Sequence, residues 1–200
     1  ERLGLMLAEA GVHALLEKPV AATSEAALRL ASAFDAAGIV GCVGHIERFN
    51  PALQQLKRRL EDGQIGDVFL ISTHRKGPFP ARIKDVGVIK DLATHDIDLT
   101  AWVAGSKFAT VSAQTAYKTG RQHEDLVAAT CQLTDGTITN HLVNWLTPTK
   151  ERMTMVTGTK GLLVADTLTA DLTYFANADV PTEWTAVSAL RGVSEGDMVR

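Results

Sequence analysis

An aspartate and a histidine four residues apart, Asp91 and His95, begin the segment of the chain with the clearest chemical potential. Residues 91–104 have the pattern of a helix, on which a spacing of four places both side chains on one face, within reach of each other. A carboxylate beside an imidazole suits alcohol oxidation, because the hydroxyl group must lose its proton as hydride leaves the carbon. The alternative is an ordinary helix, with Asp91 stabilised near the positive end of the helix dipole and His95 partly buried in the core.

The tripeptide Glu17-Lys18-Pro19 lies at the carboxyl end of an apolar strand predicted over residues 12–17. Open α/β sheets bind their ligands at this end of the strands, so the position favours a binding role. The alternative is a solvated pair of charges, Glu17 and Lys18, followed by a proline that ends the strand.

A third polar cluster lies in the segment Gly-His-Ile-Glu-Arg-Phe-Asn-Pro of residues 44–51. His45, Arg48 and Asn50 offer hydrogen-bond donors that suit hydroxyl groups, a carboxylate or a phosphate. The alternative is that Asn50 caps the following helix and Arg48 is a surface residue.

Helices and strands alternate in the first part of the chain, which is typical of a parallel α/β sheet. Helices are predicted at residues 1–10 and 24–37, and strands at residues 12–17 and 39–45. Asn50 and Pro51 then supply the cap and the first-turn proline of a helix that runs to Glu61.

Strands dominate from Gly66 onward, apart from the helix at residues 91–104. That helix is predicted to lie on a sheet through a stripe of small apolar residues, namely Ala93, Ile97, Ala101 and Ala104. The other predicted strands are residues 67–75, 109–117, 126–133, 137–146, 152–157 and 162–165. They predict a meander in which Asp135-Gly136 forms a type I′ turn between the two longest strands.

The fold class predicted is therefore α/β followed by α+β, with a division after residue 45. Residues 1–45 would be a parallel α/β part, and residues 46–200 a mostly antiparallel sheet domain with a few helices. The chain begins with Glu1 inside a helix, and its last residues, 188–200, are polar and end without a stop signal. We therefore expect the sequence to be truncated at both ends.

Composition excludes several classes of function. A net charge of −3 gives no basis for binding nucleic acid or an anionic membrane, and no apolar run approaches membrane-helix length. With no signal peptide either, a cytoplasmic location is expected. Cys42 and Cys131 lie in apolar stretches and are interpreted as packing residues, and no histidine has the spacing of a metal site.

Taken together and in this order, the segments 11–21, 43–51 and 91–99 resemble the glucose-fructose oxidoreductase, inositol dehydrogenase and MocA (Gfo/Idh/MocA) family. Val156-Thr157-Gly158-Thr159-Lys160-Gly161 is similar to that family too. The resemblance implies a Rossmann dinucleotide-binding domain, of which residues 1–45 would be the end, followed by a large sheet domain, with NAD or NADP as cofactor. The G-x-G-x-x-G turn of such a domain is not in this sequence, so we expect the chain by itself not to bind NAD(H) with useful affinity.

The resemblance also implies roles for individual residues. Lys18 would lie between nicotinamide and substrate, Glu17 would hold the nicotinamide ribose, and Pro19 would fix the turn. Asp91 and His95 would be the catalytic pair, with His95 taking the hydroxyl proton and Lys18 stabilising the developing alkoxide.

The sequence of residues 44–51 is similar to the matching segment of family members that act on UDP-linked N-acetyl sugars. The resemblance therefore implies a sugar, cyclitol or nucleotide sugar as the substrate. The same resemblance implies a homo-oligomer formed through an exposed sheet face. Three alternatives stay open: a dinucleotide-binding regulator without turnover, an NAD-dependent glycosidase of the same fold, and a sheet that serves as an oligomerisation platform.

Overall fold

A computed structural model describes residues 1–177 and 198–199. The chain forms two compact units, Glu1–Ile46 and Glu47–Arg200. The sequence prediction placed its division after residue 45. That residues 1–45 are the end of a Rossmann domain stays a prediction.

The first unit contains two helices and two short parallel strands. In chain order they are α1 (Arg2–Glu9), β1 (Ala14–Leu16), α2 (Ser24–Ala36) and β2 (Gly41–Val43). The strands pair in register from Ala14 with Gly41 to Leu16 with Val43. Thr23 caps α2, since its hydroxyl oxygen accepts a hydrogen bond from the Ala26 amide at 3.3 Å. Helix and strand therefore alternate as the hydrophobic pattern predicted.

The second unit is built around one large sheet. A 3₁₀ turn (Ile46–Phe49) leads into α3 (Pro51–Glu61), and a π-helical turn (Ile89–Ala93) leads into α4 (Thr94–Ala104). The strands are β3 (Val68–Pro78), β4 (Phe108–Ala116), β5 (Leu126–Leu133), β6 (Ile138–Asn144), β7 (Leu146–Gly158), β8 (Gly161–Asp166), β9 (Asp171–Ala176) and β10 (Met198–Val199).

The order across the sheet is β10-β9-β8-β7-β3-β6-β5-β4. Every neighbouring pair is antiparallel except β3 and β6, which are parallel. The mostly antiparallel sheet is therefore confirmed, but the single meander is wrong. Two three-stranded meanders, β4 to β6 and β7 to β9, are separated by β3, which belongs to an earlier part of the chain.

Helices α3 and α4 cover one face of this sheet, with α3 on β8 and β9 and α4 on β3. The main apolar core lies between these helices and the sheet. It includes the fully buried residues Leu53, Leu56, Ile71, Leu99, Val156 and Leu163. Along β3, alternate residues point toward the helices, so Ile71, Thr73 and Arg75 are buried.

The predicted contact face of α4 is only partly correct, since Ala93 is buried and Ala104 packs against the core, but the main buried residues are others. Its buried residues are Asp96, Leu99, Thr100 and Val103, whereas Ile97 of the predicted stripe is 43% exposed. Leu99 and Val103 bury more apolar area than the alanines would, and an arginine of β3 compensates the Asp96 charge. The π-helical turn before Thr94 also shifts the phase that an α-helix counted from Asp91 would have.

The turn between β5 and β6 also differs from its prediction. Gly136 has φ 92°, but Asp135 does not have the positive φ that a type I′ turn requires. The Gly136 amide donates to the Leu133 carbonyl at 3.0 Å, and the Leu133 amide donates to the Thr137 carbonyl at 2.9 Å. This is a three-residue loop with glycine at the left-handed position. It does not join the two longest strands, which are β7 with 13 residues and β3 with 11.

Candidate active site

In the first unit, the predicted binding residues lie where the two parallel strands end. Glu17, Lys18 and Pro19 follow β1 directly, and the Lys18–Pro19 peptide bond is cis. Gly44 follows β2, and its amide donates to the Leu16 carbonyl at 2.8 Å. A Cβ atom at Gly44 would lie 3.6 Å from the Glu17 carboxylate. The structure therefore brings Glu17 beside Gly44, at the sheet edge where α/β proteins bind ligands.

In the second unit, Arg48 joins the 3₁₀ turn to α4. Its Nε donates to Asp98 Oδ2 at 2.9 Å, and its Nη2 donates to Asp98 Oδ1. Two parallel bonds between a guanidinium and a carboxylate fix direction as well as distance. Arg48 is therefore held against the first turns of α4 and is not an isolated surface residue.

Asn50 is the N-cap of α3, as its alternative interpretation proposed. Its Oδ1 accepts from the Ala52 amide at 3.0 Å, and its Nδ2 donates to the Thr167 carbonyl at 3.1 Å. Both ends of the amide therefore hold protein backbone, and α3 is tied to the turn that follows β8. A substrate contact by Asn50 stays a prediction.

Arg75 is a deeply buried charged group of this region, with 5% of its surface exposed. Its Nε donates to Asp96 Oδ1 at 2.8 Å, and its Nη1 donates to Glu47 Oε1 at 2.9 Å. Burial raises the pKa of the Asp96 carboxyl, and the Arg75 guanidinium opposes that rise. Within the described residues, Asp96 Oδ2 makes no hydrogen bond.

The predicted catalytic pair lies beside these charges. Asp91 is inside the π-helical turn, where its amide donates to the Gly87 carbonyl at 3.1 Å, and His95 is half-buried in the first turn of α4. The prediction that Asp91 begins an α-helix is therefore wrong. A single π-helical turn inside a helix is a frequent feature of functional sites.

Arg152 of β7 completes the charged region, since it is the cross-strand neighbour of Arg75. Burial, followed by the charge of Arg75, lowers the pKa of the Arg152 guanidinium. The carboxylates of Asp96, Glu47 and Asp91 oppose that change, so Asp91 acts electrostatically on the same group as the buried ion pairs. Arg152 Nη1 also donates to the carbonyls of Lys76 and Glu151, at 2.6 and 2.8 Å.

The loop before the π-helical turn is held by another arginine, Arg121. The Arg121 guanidinium carbon lies 4.6 Å from the ring centroid of Phe79 and 5.1 Å from that of Trp145. Its Nη2 donates to the Val86 carbonyl at 2.8 Å. The Glu124 carboxylate then accepts from the Ile89 amide at 3.1 Å, which fixes the first residue of the turn that carries Asp91.

Sequence reasoning missed these supporting residues, namely Glu47, Arg75, Asp96, Arg121 and Arg152. One signal was available for Arg75. Strand alternation places it on the same face as Ile71, so an arginine on the apolar face of a strand indicates a buried partner.

An apolar groove of about 360 Å³ lies next to the π-helical turn. Its lining includes Ile89, Ile97, Phe108, Val111 and Cys131. A sugar needs hydrogen-bonding partners for its hydroxyl groups, so this groove is a poor sugar site.

Within residues 1–177 and 198–199, no group of three or more histidine, cysteine, aspartate or glutamate side chains could hold a metal ion. None of the helices in these ranges is both long and apolar enough to cross a membrane.

The family model of the GFO/IDH/MocA C-terminal domain matches residues 53–164, and the chain belongs to this family. The family predicted from the three sequence motifs is therefore confirmed.

Two curated relatives are similar to this chain. Inositol 2-dehydrogenase 2 of Saccharopolyspora erythraea is 35% identical over 127 residues, which are 62% of this chain and 38% of that protein. UDP-N-acetylglucosamine 3-dehydrogenase of Acidithiobacillus ferrooxidans is 33% identical over 132 residues, or 66% of this chain and 41% of that protein. The matches thus span about two fifths of either relative.

A solved structure gives the same fold. The WlbA dehydrogenase from Bordetella pertussis, in complex with NADH and UDP-GlcNAcA, aligns with a TM-score of 0.75 and 28% identity. The alignment covers 82% of this chain and 51% of that one.

Proposed function

We propose that this chain forms the catalytic part of an NAD- or NADP-dependent dehydrogenase that oxidises a hydroxyl group of a sugar, cyclitol or nucleotide sugar. One observation carries the proposal. The segment with Asp91 and His95 is tied to the 3₁₀ turn by Arg48–Asp98 and by the buried Arg75 with its two carboxylates. The family and the dehydrogenase names of both curated relatives support it.

The residues at the end of β1 fit a nicotinamide cofactor. Glu17 presents a carboxylate beside Gly44, which is suited to accepting hydrogen bonds from ribose hydroxyls. Lys18, the next residue, provides a point charge on a flexible stem. The cofactor, when bound, supplies the acceptor for hydride.

The protein groups supply the proton chemistry. His95 takes the proton of the substrate hydroxyl, and Asp91 orients His95 or the substrate. Lys18 stabilises the negative charge that develops on the substrate oxygen, and Pro19 shapes the turn that presents it. These roles are carried over from the family resemblance, and the chemistry of each side chain suits its role.

A nucleotide sugar is our first proposal for the substrate. The segment of residues 44–51 is similar to members that act on UDP-linked sugars, and one curated relative is a UDP-N-acetylglucosamine 3-dehydrogenase. His45 and Arg48 would contact the substrate, with Asn50 as a further candidate. A cyclitol is the second proposal, because another relative is an inositol dehydrogenase.

The face of the sheet opposite α3 and α4 is the proposed surface for assembly into a homo-oligomer. It carries a cluster of charges in which Glu151 accepts from His74 Nδ1 at 2.8 Å and from Lys76 Nζ at 2.7 Å. Hydrogen bonds and charges of this kind fix the register of two copies at an interface.

Turnover by the intact protein tests the proposal. UDP-N-acetylglucosamine, its uronate and myo-inositol would each be supplied with NAD⁺ or NADP⁺, and the reduced cofactor would be followed by absorbance. Accumulation of reduced cofactor with any of the three supports the proposal. Binding of the dinucleotide without turnover would indicate a regulator, and glycoside cleavage without net reduction would indicate a glycosidase.

The same assay tests whether Lys18 takes part in catalysis or only forms a surface ion pair. Lys18→Arg is expected to lose nearly as much kcat as Lys18→Ala, because the planar guanidinium cannot place one point donor on a substrate oxygen. If Lys18 only formed a surface pair with Glu17, both variants would change stability by less than about 1 kcal/mol and leave kcat nearly unchanged.

A further inference from the structure

Arg75 connects the two segments that carry the proposed chemistry. It lies on β3, and its two carboxylate partners come from different elements. Glu47 is in the 3₁₀ turn, directly before Arg48, and Asp96 is in α4, directly after His95. One guanidinium therefore binds Glu47, next to the proposed substrate-binding residue Arg48. It also binds Asp96, next to the proposed base His95.

The geometry of these contacts leaves little freedom. The guanidinium is planar and rigid, so the bonds of 2.8 Å to Asp96 and 2.9 Å to Glu47 fix two directions at once. Arg48 and Asp98 form a second tie between the same two segments. Since consecutive Cα atoms are held about 3.8 Å apart, anchoring Asp96 also limits the backbone of His95.

Stability does not explain a charged group at this position. Arg75 and Asp96 are 5% and 2% exposed, and within the described residues one Asp96 oxygen has no hydrogen-bond partner. Buried ion pairs are often no more stabilising than apolar side chains of similar volume. Ile71 occupies the same face of the same strand and contributes to the apolar core, so an apolar residue suits this side of the sheet.

We propose that Arg75 is a positioning residue for the dehydrogenase reaction: it sets His95 and Arg48 at the distance that the substrate requires. The inference rests on the proposed function. Arg75 acts through Glu47 and Asp96 and does not itself touch the reacting atoms.

The test uses the intact enzyme with UDP-N-acetylglucosamine or myo-inositol, whichever the parent oxidises. Arg75→Met removes both ties, and we expect kcat per folded molecule to fall about 10²-fold, the effect of a displacement on the order of 1 Å at a reacting group. The deuterium isotope effect on kcat, with substrate labelled at the reacting carbon, is expected to rise because a misplaced base slows the chemical step. Arg58→Met, at an exposed arginine of α3, is the matched control and should change neither value.

Two more variants separate positioning from folding. Arg75→Lys keeps the charge but cannot hold both carboxylates along the two original directions, so its thermal midpoint should approach that of the parent while kcat stays low. The triple variant Glu47→Gln, Arg75→Met, Asp96→Leu removes Arg75 together with both of its carboxylate partners, and its stability should recover relative to Arg75→Met without recovery of kcat.

The outcomes are distinct. A parent enzyme that reduces neither NAD⁺ nor NADP⁺ with any substrate of the panel contradicts the proposed function itself. An active parent with Arg75→Met within threefold of its kcat, or a triple variant that regains full kcat, overturns only the positioning role.

Discussion

The two ends of one strand face, on β3, are built from opposite kinds of side chain. At one end Ile71 packs between Val156 and the leucines of α3 in the main apolar core. At the other end Arg75 lies beside Arg152 and binds Asp96 and Glu47. Four residues of a strand span only roughly 13 Å, so both environments share one sheet and one covering layer of helices.

The apolar end of the strand face contributes mainly to stability, and the charged end serves the proposed chemistry. Each fully buried leucine of the apolar end contributes about 2–3 kcal/mol to folding by removing apolar surface from water. The charged end buries less apolar surface, and its ion pairs hold charged side chains in fixed directions. Substitutions at the two ends should therefore have different consequences, and four predictions test this, in order of decreasing effect.

The largest effect is expected for His95→Ala at the charged end. Loss of the proton acceptor should lower kcat of the intact enzyme by about 10²- to 10⁴-fold, since that is the usual contribution of a general base. Steady-state kinetics and a thermal scan would measure it together, with His123→Ala in the loop before β5 as the control. A variant that unfolds while its native fraction keeps the parent kcat would make His95 a core residue.

The next effect is expected for Leu53→Ala at the apolar end. Leu53 is fully buried, so the truncation should lower the free energy of unfolding by about 2–5 kcal/mol. The kcat of the folded fraction should not change, and urea unfolding would measure the loss. Leu168→Ala, at a side chain that is largely exposed, should cost less than about 0.5 kcal/mol. A large loss of kcat in folded Leu53→Ala would remove the contrast between the two ends.

The middle of the strand face provides a pH-dependent test. His141 lies between Thr73 and Thr139, whose hydroxyls are 2.8 and 2.9 Å from its ring nitrogens, and burial lowers its pKa to about 4. The folded protein then binds fewer protons than the unfolded chain between pH 6.5 and 4, so stability falls as pH falls through this window.

Between pH 7 and pH 5 the expected loss is about 2 kcal/mol. Urea unfolding at the two pH values measures it, and His141→Gln should remove this part of the pH dependence. An unchanged slope in the variant would show that other groups are responsible.

The smallest effect is expected at the cap of α3. Asn50→Ala should destabilise the protein by about 0.5–2 kcal/mol, because the Ala52 amide loses its acceptor. Asn50→Asp keeps the acceptor and serves as the matched variant. Asn50→Asp also loses the donor to the Thr167 carbonyl, so both variants lose some stability. If KM for the substrate rises in both variants under conditions where both are fully folded, Asn50 also contacts the substrate as the sequence predicted.

Local signals in the sequence predicted local structure well. Asn50 was predicted to cap the helix that begins at Pro51 and does so, and the helix from Pro51 to Glu61 has the predicted bounds. The order of helices and strands was also predictable, because each element has its own hydrophobic period.

Features that depend on distant parts of the chain could not be predicted in this way. Nothing within residues 68–78 specifies pairing with β6 and β7, and the π-helical turn has no period that distinguishes it from a helix start. The buried face of α4 was only partly predicted for the same reason, since Asp96 is acceptable there only because Arg75 lies on the strand beneath it. At the site, the motifs indicated Asp91 and His95 but not the charges that surround them.

The central position of β3 has a consequence for synthesis. Thr73 and its partner His141 are 68 residues apart in sequence, so a ribosome adding 5–20 residues per second needs roughly 3 to 14 s to complete the first neighbour. During that interval the nascent strand exposes both backbone edges, which is the state most prone to pair with another chain. The consecutive residues His74, Arg75 and Lys76 follow its apolar half, and flanking polar and charged residues of this kind oppose such pairing.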